Sequence, residues 1–251
     1  MTKNVWITGA SSGIGKALAI KFASEGWQVA ASARRENLLQ ELNKDNPKIH
    51  SFPLDVTDSS LCKKVFNNIV EKFQIIDICV FCTGIHDPQS EKKISEEKIR
   101  EIMEVNFFGT LNCIMAVNIY FREKQSGHIS IVSSVAGYRG FPAASGYCAS
   151  KAALTSLAES LYFDFKRYNV RVSLISPGFI KTPMTDKNKF PMPMIKSPEY
   201  AAEKMFIGLT KQNVFEIHFP KTLTMIMKLL KIIPNWLFFL IVGRGIKKIK
   251  L

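Results

Sequence analysis

Short apolar segments alternate with longer helical patterns along most of this 251-residue chain. The pattern favours strands at 5–8, 29–32, 49–54, 76–81, 128–132, 170–175 and 214–218, with helices at 16–23, 59–73, 95–121, 147–168 and 198–210. Apolar strands separated by helices of this length are typical of βαβ units. The sequence therefore predicts one α/β domain over residues 1–220, with a doubly wound parallel sheet of about seven strands flanked by helices.

Composition narrows the class of protein further. Hydrophobic residues make up 47% of the chain and charged residues 22%, so a substantial core is expected and general disorder is excluded. Five scattered cysteines do not form a disulfide scaffold and indicate a reducing, cytoplasmic location. The Cys79–Cys82 spacing is typical of a redox or metal pair, but a strand through both would turn the side chains to opposite faces. No histidine pair has metal-ligand spacing, so we expect no metal.

The most specific local motif is a glycine turn between the first strand and the first helix. It contains Gly9, Gly13 and Gly15, and Ser11, Ser12 and Ile14 lie within it. Glycines allow the backbone to approach a pyrophosphate closely, and the helix N-terminus attracts its charge. We expect these six residues to bind a dinucleotide, and a plain tight turn is the alternative.

The end of the second strand bears on the choice of cofactor. An acid there would bind a ribose 2′-hydroxyl, but this chain has Ala33 followed by Arg34 and Arg35. Two guanidinium groups can hold a 2′-phosphate. The pattern predicts NADP(H) over NAD(H), and a solvated basic loop is the alternative.

A candidate catalytic group follows the fifth strand. Tyr147 and Lys151 are four residues apart, on one face of the predicted helix. A phenol has a pKa of about 10, and a nearby ammonium favours the phenolate, so Tyr147 could exchange a proton near neutral pH. A hydroxyl at Ser133 or Ser134, at the strand end, could donate a hydrogen bond to the same substrate oxygen. The alternative is an aromatic at a helix start and a solvated lysine.

In combination these motifs resemble the classical short-chain dehydrogenase/reductase family, NADP-preferring subgroup, from about residue 5 to 219. The matching motifs are Thr8-Gly9-Ala10-x-x-Gly13-Ile14-Gly15, Asp55-Val56, Asn106, Ser133-Ser134, Tyr147-x-x-x-Lys151 and Pro177-Gly178. The resemblance implies a Rossmann-like fold and an NADP(H)-dependent enzyme that interconverts a ketone and a secondary alcohol. A membrane-associated NADPH-binding protein with little turnover is the alternative.

The resemblance also assigns roles to individual residues. It implies that Ser134, thirteen residues before Tyr147, is the catalytic serine, and that Asn106 helps to hold a relay water beside Lys151. The cofactor contacts that it implies are Asp55, Val56, Gly84, Tyr147, Lys151, Pro177, Gly178, Ile180 and Thr182, together with Arg34.

The chain departs from the family pattern at two places. Phe81-Cys82-Thr83-Gly84 stands where the family usually has Asn-Asn-Ala-Gly, which predicts a loss of local rigidity beside the cofactor. Ser12 stands where the subgroup has a basic residue, so the NADP(H) prediction depends on Arg34 and Arg35.

The segment 179–197 interrupts the strand–helix alternation with three prolines and several large apolar residues. In the family this region covers the substrate, and methionine-rich loops adapt to varied apolar ligands. We expect a mobile loop over a lipophilic keto-lipid, 3-ketoacyl or steroid-like substrate. The alternative is that these apolar residues only pack the loop against the rest of the domain.

The tail, 221–251, holds seven basic residues and no acid, out of a net charge of +13 for the chain. Its longest charge-free run, 232–243, is 12 residues long and contains Pro234, whereas a spanning helix needs about 20. The pattern predicts an amphipathic, apolar and basic extension at an anionic membrane surface, on the cytoplasmic face. A helix packed on the core or on a second subunit is the alternative. Nucleic acid is disfavoured, the family's usual tetramer is doubtful, and a homodimer is left open.

Overall fold

Seven parallel strands form a single sheet in the order β3-β2-β1-β4-β5-β6-β7. The strands are β1 Asn4–Thr8, β2 Gln28–Ser32, β3 Ile49–Ser51, β4 Ile78–Phe81, β5 Gly127–Val132, β6 Val170–Pro177 and β7 Glu216–Phe219. The computed structural model describes residues 3–88 and 93–249, without the side chains of 245–249. The predicted fold class is confirmed. Each end of every predicted strand lies within three residues of the observed end.

Helices cover both faces of the sheet. Within the described residues they are α1 Gly13–Ser24, α2 Glu36–Asp45, α3 Ser59–Phe73, α4 Glu96–Met103, α5 Gly109–Lys124, α6 Ser145–Lys166, α7 Pro198–Lys211, α8 Lys221–Ile232 and α9 Asn235–Ile249. One core lies between the sheet and α1, α2 and α7, and the other lies under α3, α5 and α6. Successive strand residues alternate between the two cores: Ile7 lies in the first and Trp6 in the second.

Two helical features differ from the prediction. The helix α2 was not predicted, because it is polar and buries only Leu39 and Leu42. The predicted helix 95–121 is divided into α4 and α5 by a π-helical turn, Glu104–Phe108. That turn places an extra residue in the helix and turns Asn106 into the interior.

The strand order reverses direction between β1 and β4, and ligands of open α/β sheets bind at such a switch point, beyond the carboxyl ends of the strands. The glycine turn follows β1, and the 82–88 segment follows β4. The catalytic candidates lie just after β5, and the 179–197 loop follows β6. The topology therefore directs all the predicted site segments to one edge of the sheet.

The tail forms two helices. The helices α8 and α9 are separated at Ile233, which is extended because Pro234 follows it. Each helix buries part of one face: Leu223, Thr224 and Met227 from α8, and Phe238 from α9. The tail thus packs on the core along one side, as in the packing alternative, and exposes apolar residues on the other.

Hydropathy does not single out the tail as a membrane span. Among the described residues, Glu96–Lys124 is the one helical stretch long and apolar enough to cross a membrane. Its buried residues, such as Cys113 and Phe121, belong to the core beneath the sheet, which is an ordinary position for a domain helix. The apolar stretch Asn235–Arg244 in α9 is shorter.

Candidate active site

The glycine turn after β1 has a backbone that only glycine accommodates well. Gly9 and Gly13 have positive φ values of +70° and +55°. A Cβ at Gly9 would lie 2.9 Å from the Cys82 carbonyl oxygen, and a Cβ at Gly15 would lie 2.3 Å from the Gly9 carbonyl oxygen. The turn therefore packs directly against the neighbouring strand end and leaves the N-terminus of α1 open to a ligand.

A cavity of about 430 Å³ lies at this edge of the sheet. It is lined by Gly9, Ser11, Ser12, Gly13, Ile14, Gly15, Arg34, Arg35, Asp55, Val56, Gly84, Ser134, Tyr147, Lys151, Pro177, Gly178, Ile180 and Thr182. Three strand spacings, about 14 Å, separate the end of β2 from that of β5, which suits an extended dinucleotide. The cavity thus brings together every predicted site residue except Asn106, and the donor set fits a dinucleotide.

The two arginines after β2 differ in their contacts. The Arg35 guanidinium donates to Ser11 Oγ at 2.9 Å and to Ser12 Oγ at 2.8 Å. Arg34 is exposed and lines the cavity beside it. Arg35 therefore carries positive charge to the Ser12 position, where the family's usual basic residue is absent.

The two serines after β5 have separate environments. Ser133 is buried, and its hydroxyl contacts the interior, donating to the Lys151 carbonyl oxygen at 2.8 Å. Ser134 is less buried and lines the cavity, and its Oγ accepts a hydrogen bond from the Ala136 amide at 3.1 Å. The geometry favours Ser134 as the residue that faces a substrate.

Lys151 is buried beside Tyr147. Its Nζ donates to the Val132 carbonyl oxygen at 2.9 Å and lies 5.7 Å from the centre of the Tyr147 ring. Burial lowers the pKa of Lys151 to about 8. A Cβ at Gly84 would lie 3.4 Å from this Nζ, so a glycine there leaves room for the ammonium.

Asn106 lies behind the cavity and is fully buried. Its Oδ1 accepts from the Ile85 amide at 2.7 Å, and its Nδ2 donates to the Ile85 carbonyl oxygen and to Ser150 Oγ, both at 3.0 Å. These bonds join the segment after β4 to α6, the helix that contains Tyr147 and Lys151. The side chain is thus a positioning group, and its implied part in holding a relay water stays a prediction.

The segment after β4 that departs from the family pattern is held to β1 by a hydrogen bond. The Cys82 amide donates to Thr8 Oγ1 at 3.1 Å, and Thr8 is buried. Burial raises the pKa of the Cys82 thiol to about 11, so the thiol is neutral at physiological pH. The hydrogen bond from Cys82 to Thr8 joins this segment to β1, and the loss of rigidity expected from the missing asparagine stays a prediction. Cys79 and Cys82 contact opposite cores, as predicted.

The sequence did not reveal that His86 adjoins Tyr147, the candidate proton donor. The His86 ring stacks on the Tyr147 ring, with centroids 4.3 Å apart and planes 28° apart. The only signal was its place two residues after Gly84, at the carboxyl end of β4. Next to it, Asp87 forms an ion pair of 3.7 Å with Lys187 of the 179–197 loop.

The two ends of the 179–197 loop are paired with each other. Ile180 pairs with Lys196 in a short bridge, and the Lys181 amide donates to the Lys196 carbonyl oxygen at 2.8 Å. Thr182 lies against the glycine turn, since a Cβ at Gly13 would lie 3.0 Å from its Cγ2. The loop therefore emerges directly above the dinucleotide cradle.

The buried lysine predicts a pH-dependent stability. Between about pH 8 and the ordinary lysine pKa of 10.5, the unfolded chain binds a proton at Lys151 that the folded chain has released. Stability attributable to this group therefore rises with pH in that window. From about pH 7.5 to about pH 9.5, the wild type should gain about 2 kcal/mol of unfolding free energy relative to Lys151→Met. Denaturant unfolding of both proteins measures this, and a constant difference would contradict the buried ammonium.

Comparison with known proteins agrees with the fold. The short chain dehydrogenase family profile matches residues 3–211. An uncharacterized oxidoreductase of Myxococcus xanthus is 34% identical over 236 residues, covering 92% of this chain and 93% of that protein. A 3-oxoacyl-(acyl-carrier-protein) reductase of Thermotoga maritima is 36% identical over 185 residues, covering 72% and 75%.

A solved short-chain dehydrogenase from Streptomyces avermitilis has the same fold, with a TM-score of 0.82 at 24% identity. The match covers 98% of this chain and 99% of that one. With the family profile, this similarity assigns the parallel sheet and its flanking helices to one known architecture. The chain belongs to the short-chain dehydrogenase family, whose members are oxidoreductases that bind nicotinamide cofactors.

Proposed function

We propose that this oxidoreductase uses NADP(H) to interconvert a ketone and a secondary alcohol, acting mainly as a reductase of a lipophilic keto compound. The observation that carries the proposal is one cavity holding Tyr147, Lys151 and Ser134 together with Arg34 and Arg35. The first three residues suit proton exchange with a carbonyl oxygen, and the arginines suit an extra phosphate.

The residues around the reacting carbonyl have separate roles in the proposed reaction. The bound nicotinamide supplies the hydride. Ser134 Oγ donates a hydrogen bond to the substrate oxygen, where negative charge develops. Tyr147 Oη transfers the proton to that oxygen, and the nearby Lys151 ammonium stabilises the phenolate that remains.

The cofactor preference follows from charge at the end of β2. No carboxylate stands at Ala33, where it would repel a 2′-phosphate, and two guanidinium groups line the same part of the cavity. The Arg35 bonds to Ser11 and Ser12 hold one of them against the glycine turn. This arrangement supports NADP(H).

NADPH should bind at least tenfold more tightly than NADH, a difference of about 1.4 kcal/mol. Arg34→Ala should remove most of that preference, because it deletes a guanidinium that faces the 2′-phosphate. Fluorescence titration with both cofactors measures it, and the NADH affinity, which should barely change, is the internal control. Equal wild-type affinities for the two cofactors would refute the assignment.

The substrate class is inferred from the cover of the site. Phe179 and Phe190 contact each other in the 179–197 loop, with ring centres 6.2 Å apart, and Met184 lines the cavity. An apolar cover of this kind suits a keto-lipid, a 3-ketoacyl group or a steroid-like ketone. The relative in Thermotoga maritima, named as a 3-oxoacyl reductase, favours the 3-ketoacyl class.

Tyr147→Phe tests the chemistry. It removes the exchangeable proton and keeps the ring, so kcat for a 3-ketoacyl thioester should fall at least about 100-fold while NADPH affinity stays nearly constant. The assay is NADPH oxidation followed at its absorbance maximum. Wild-type turnover in this variant would mean that another group supplies the proton.

The stacked histidine should affect rate through the tyrosine. His86→Ala removes the ring that packs on Tyr147 and should lower kcat about threefold to tenfold, the scale of an aromatic stacking interaction. His86→Phe keeps a flat ring and should recover most of the rate, with KM changing less than kcat. If both variants match the wild type, the stacking has no part in positioning Tyr147.

A second candidate function is a membrane-associated NADPH-binding protein with little turnover. The replaced 81–84 segment favours it, but the Thr8–Cys82 hydrogen bond and the complete Ser134, Tyr147 and Lys151 set favour an active enzyme. NADPH oxidation against a panel of ketones separates the two. For either function we propose a cytoplasmic protein, held at the cytoplasmic face of a membrane by the tail, 221–251.

A further inference from the structure

We propose that α8 and α9 together form a docking surface for an anionic lipid bilayer, mounted rigidly beside the substrate loop. Six exposed apolar side chains of these helices form the proposed surface, the docking face. They are Met225, Leu229, Ile232, Trp236, Phe239 and Leu240.

The two helices are held to the domain at their junction by Arg139. Its guanidinium donates to the Leu230 carbonyl oxygen at 3.0 Å, to the Ile233 carbonyl oxygen at 2.7 Å and to Asn235 Oδ1 at 2.6 Å. The same guanidinium lies 4.7 Å from the centre of the Phe238 ring. One side chain thus caps the end of α8 and fixes the start of α9.

A second attachment lies along α8. Lys228 forms an ion pair of 2.5 Å with Glu216, which also accepts a hydrogen bond from the Tyr138 hydroxyl. Leu223 and Met227 pack with Tyr138 in a small apolar cluster. The inner face of α8 is therefore attached to the domain by both apolar and ionic contacts.

The docking face lies on the other side of both helices. Met225, Leu229 and Ile232 have the i, i+4, i+7 spacing of one helical stripe, offset from the buried stripe of Leu223 and Met227. Trp236, Phe239 and Leu240 form the matching stripe on α9, offset from buried Phe238. Because the buried stripe of α8 contacts the 135–141 segment, its exposed stripe faces away from it, whereas Phe239 of α9 lies at the edge of a groove that this segment also lines.

The degree of exposure on this face is high for such large side chains. Ile232 is 80% exposed, Trp236 69% and Phe239 66%. Contiguous exposed apolar residues of this size mark interaction surfaces, and tryptophan is favoured where lipid meets water.

Charge identifies the occupant as an anionic bilayer. Lys221, Lys231 and Arg244 are exposed on the same helices, and no acid follows Glu216, which is itself paired with Lys228. A second copy docked through this face would oppose two positive surfaces, whereas anionic lipid headgroups complement them. An apolar groove of about 710 Å³, lined by Phe141, Ala152, Phe239 and Val242, continues the surface beside α9 and suits acyl chains.

The docking face is coupled in space to the substrate loop. Phe179, at the start of that loop, packs in the same cluster as Leu223 and Met227. A Cβ at Gly178 would lie 2.6 Å from Leu223 Cδ2. Docking would therefore hold the loop of the active site next to the bilayer, and a lipophilic substrate could enter from it; this last step rests on the proposed function.

Vesicle co-sedimentation of the full-length protein with bound NADPH tests the docking face. The probes are vesicles of phosphatidylcholine alone and of phosphatidylcholine with phosphatidylserine. Trp236→Ser/Phe239→Ser should lower the partition coefficient on the anionic vesicles at least tenfold. Lys231→Glu/Arg244→Glu should weaken binding at low salt and have little effect at high salt. Phe163→Ser, at an exposed aromatic of α6, is the matched control and should bind like the wild type.

NADPH affinity and sedimentation velocity complete the test. Unchanged NADPH affinity in the double variants shows that the fold is intact, and it separates failure of docking from failure of the proposed reaction. Wild-type protein that stays in solution with anionic vesicles overturns the proposal. So does a dimer that dissociates in Trp236→Ser/Phe239→Ser, because the face would then belong to a second copy.

Discussion

The buried carboxamide of Asn106 joins the parts of the active site that come from distant stretches of sequence. It holds Ile85 by two hydrogen bonds and Ser150 by a third, so the segment after β4 and α6, the helix that contains Tyr147 and Lys151, keep a fixed spacing. The π-helical turn at Glu104–Phe108 is what turns this residue inward. Gly84, His86, Tyr147 and Lys151 all take their positions from this arrangement.

Close to Asn106, the structure buries the ammonium of Lys151, although burial disfavours a charged group. Lys151 is 4% exposed, and its ammonium has one protein acceptor among the described residues, the Val132 carbonyl oxygen. Burial without a carboxylate partner destabilises the folded state at neutral pH. The same burial strengthens the field that the ammonium exerts on Tyr147, because little solvent screens it. The burial of Lys151 thus both destabilises the folded state and strengthens the effect of the ammonium on Tyr147 in the proposed proton transfer.

Much of this site could be predicted from local patterns. The glycine turn, the Tyr147–Lys151 spacing and the alternation of strands with helices follow from short-range rules, and the structure brings the predicted site residues to one cavity. The contacts of His86 and Arg139 could not be predicted, because they join residues about 60 to 95 positions apart without a motif. The helix α2 was missed because it is short and mostly polar, and its only buried residues are Leu39 and Leu42.

The proposed reaction transfers a hydride from NADPH to a ketone in this cavity while Tyr147 supplies the proton. The most direct measurement follows deuterium from NADPH labelled at nicotinamide C4, with each stereoisomer tested separately against a 3-ketoacyl thioester. Mass spectrometry should find deuterium on the carbinol carbon of the product with one stereoisomer and not with the other. Alcohol product that carries no deuterium from either stereoisomer, or no alcohol product at all, would contradict the account.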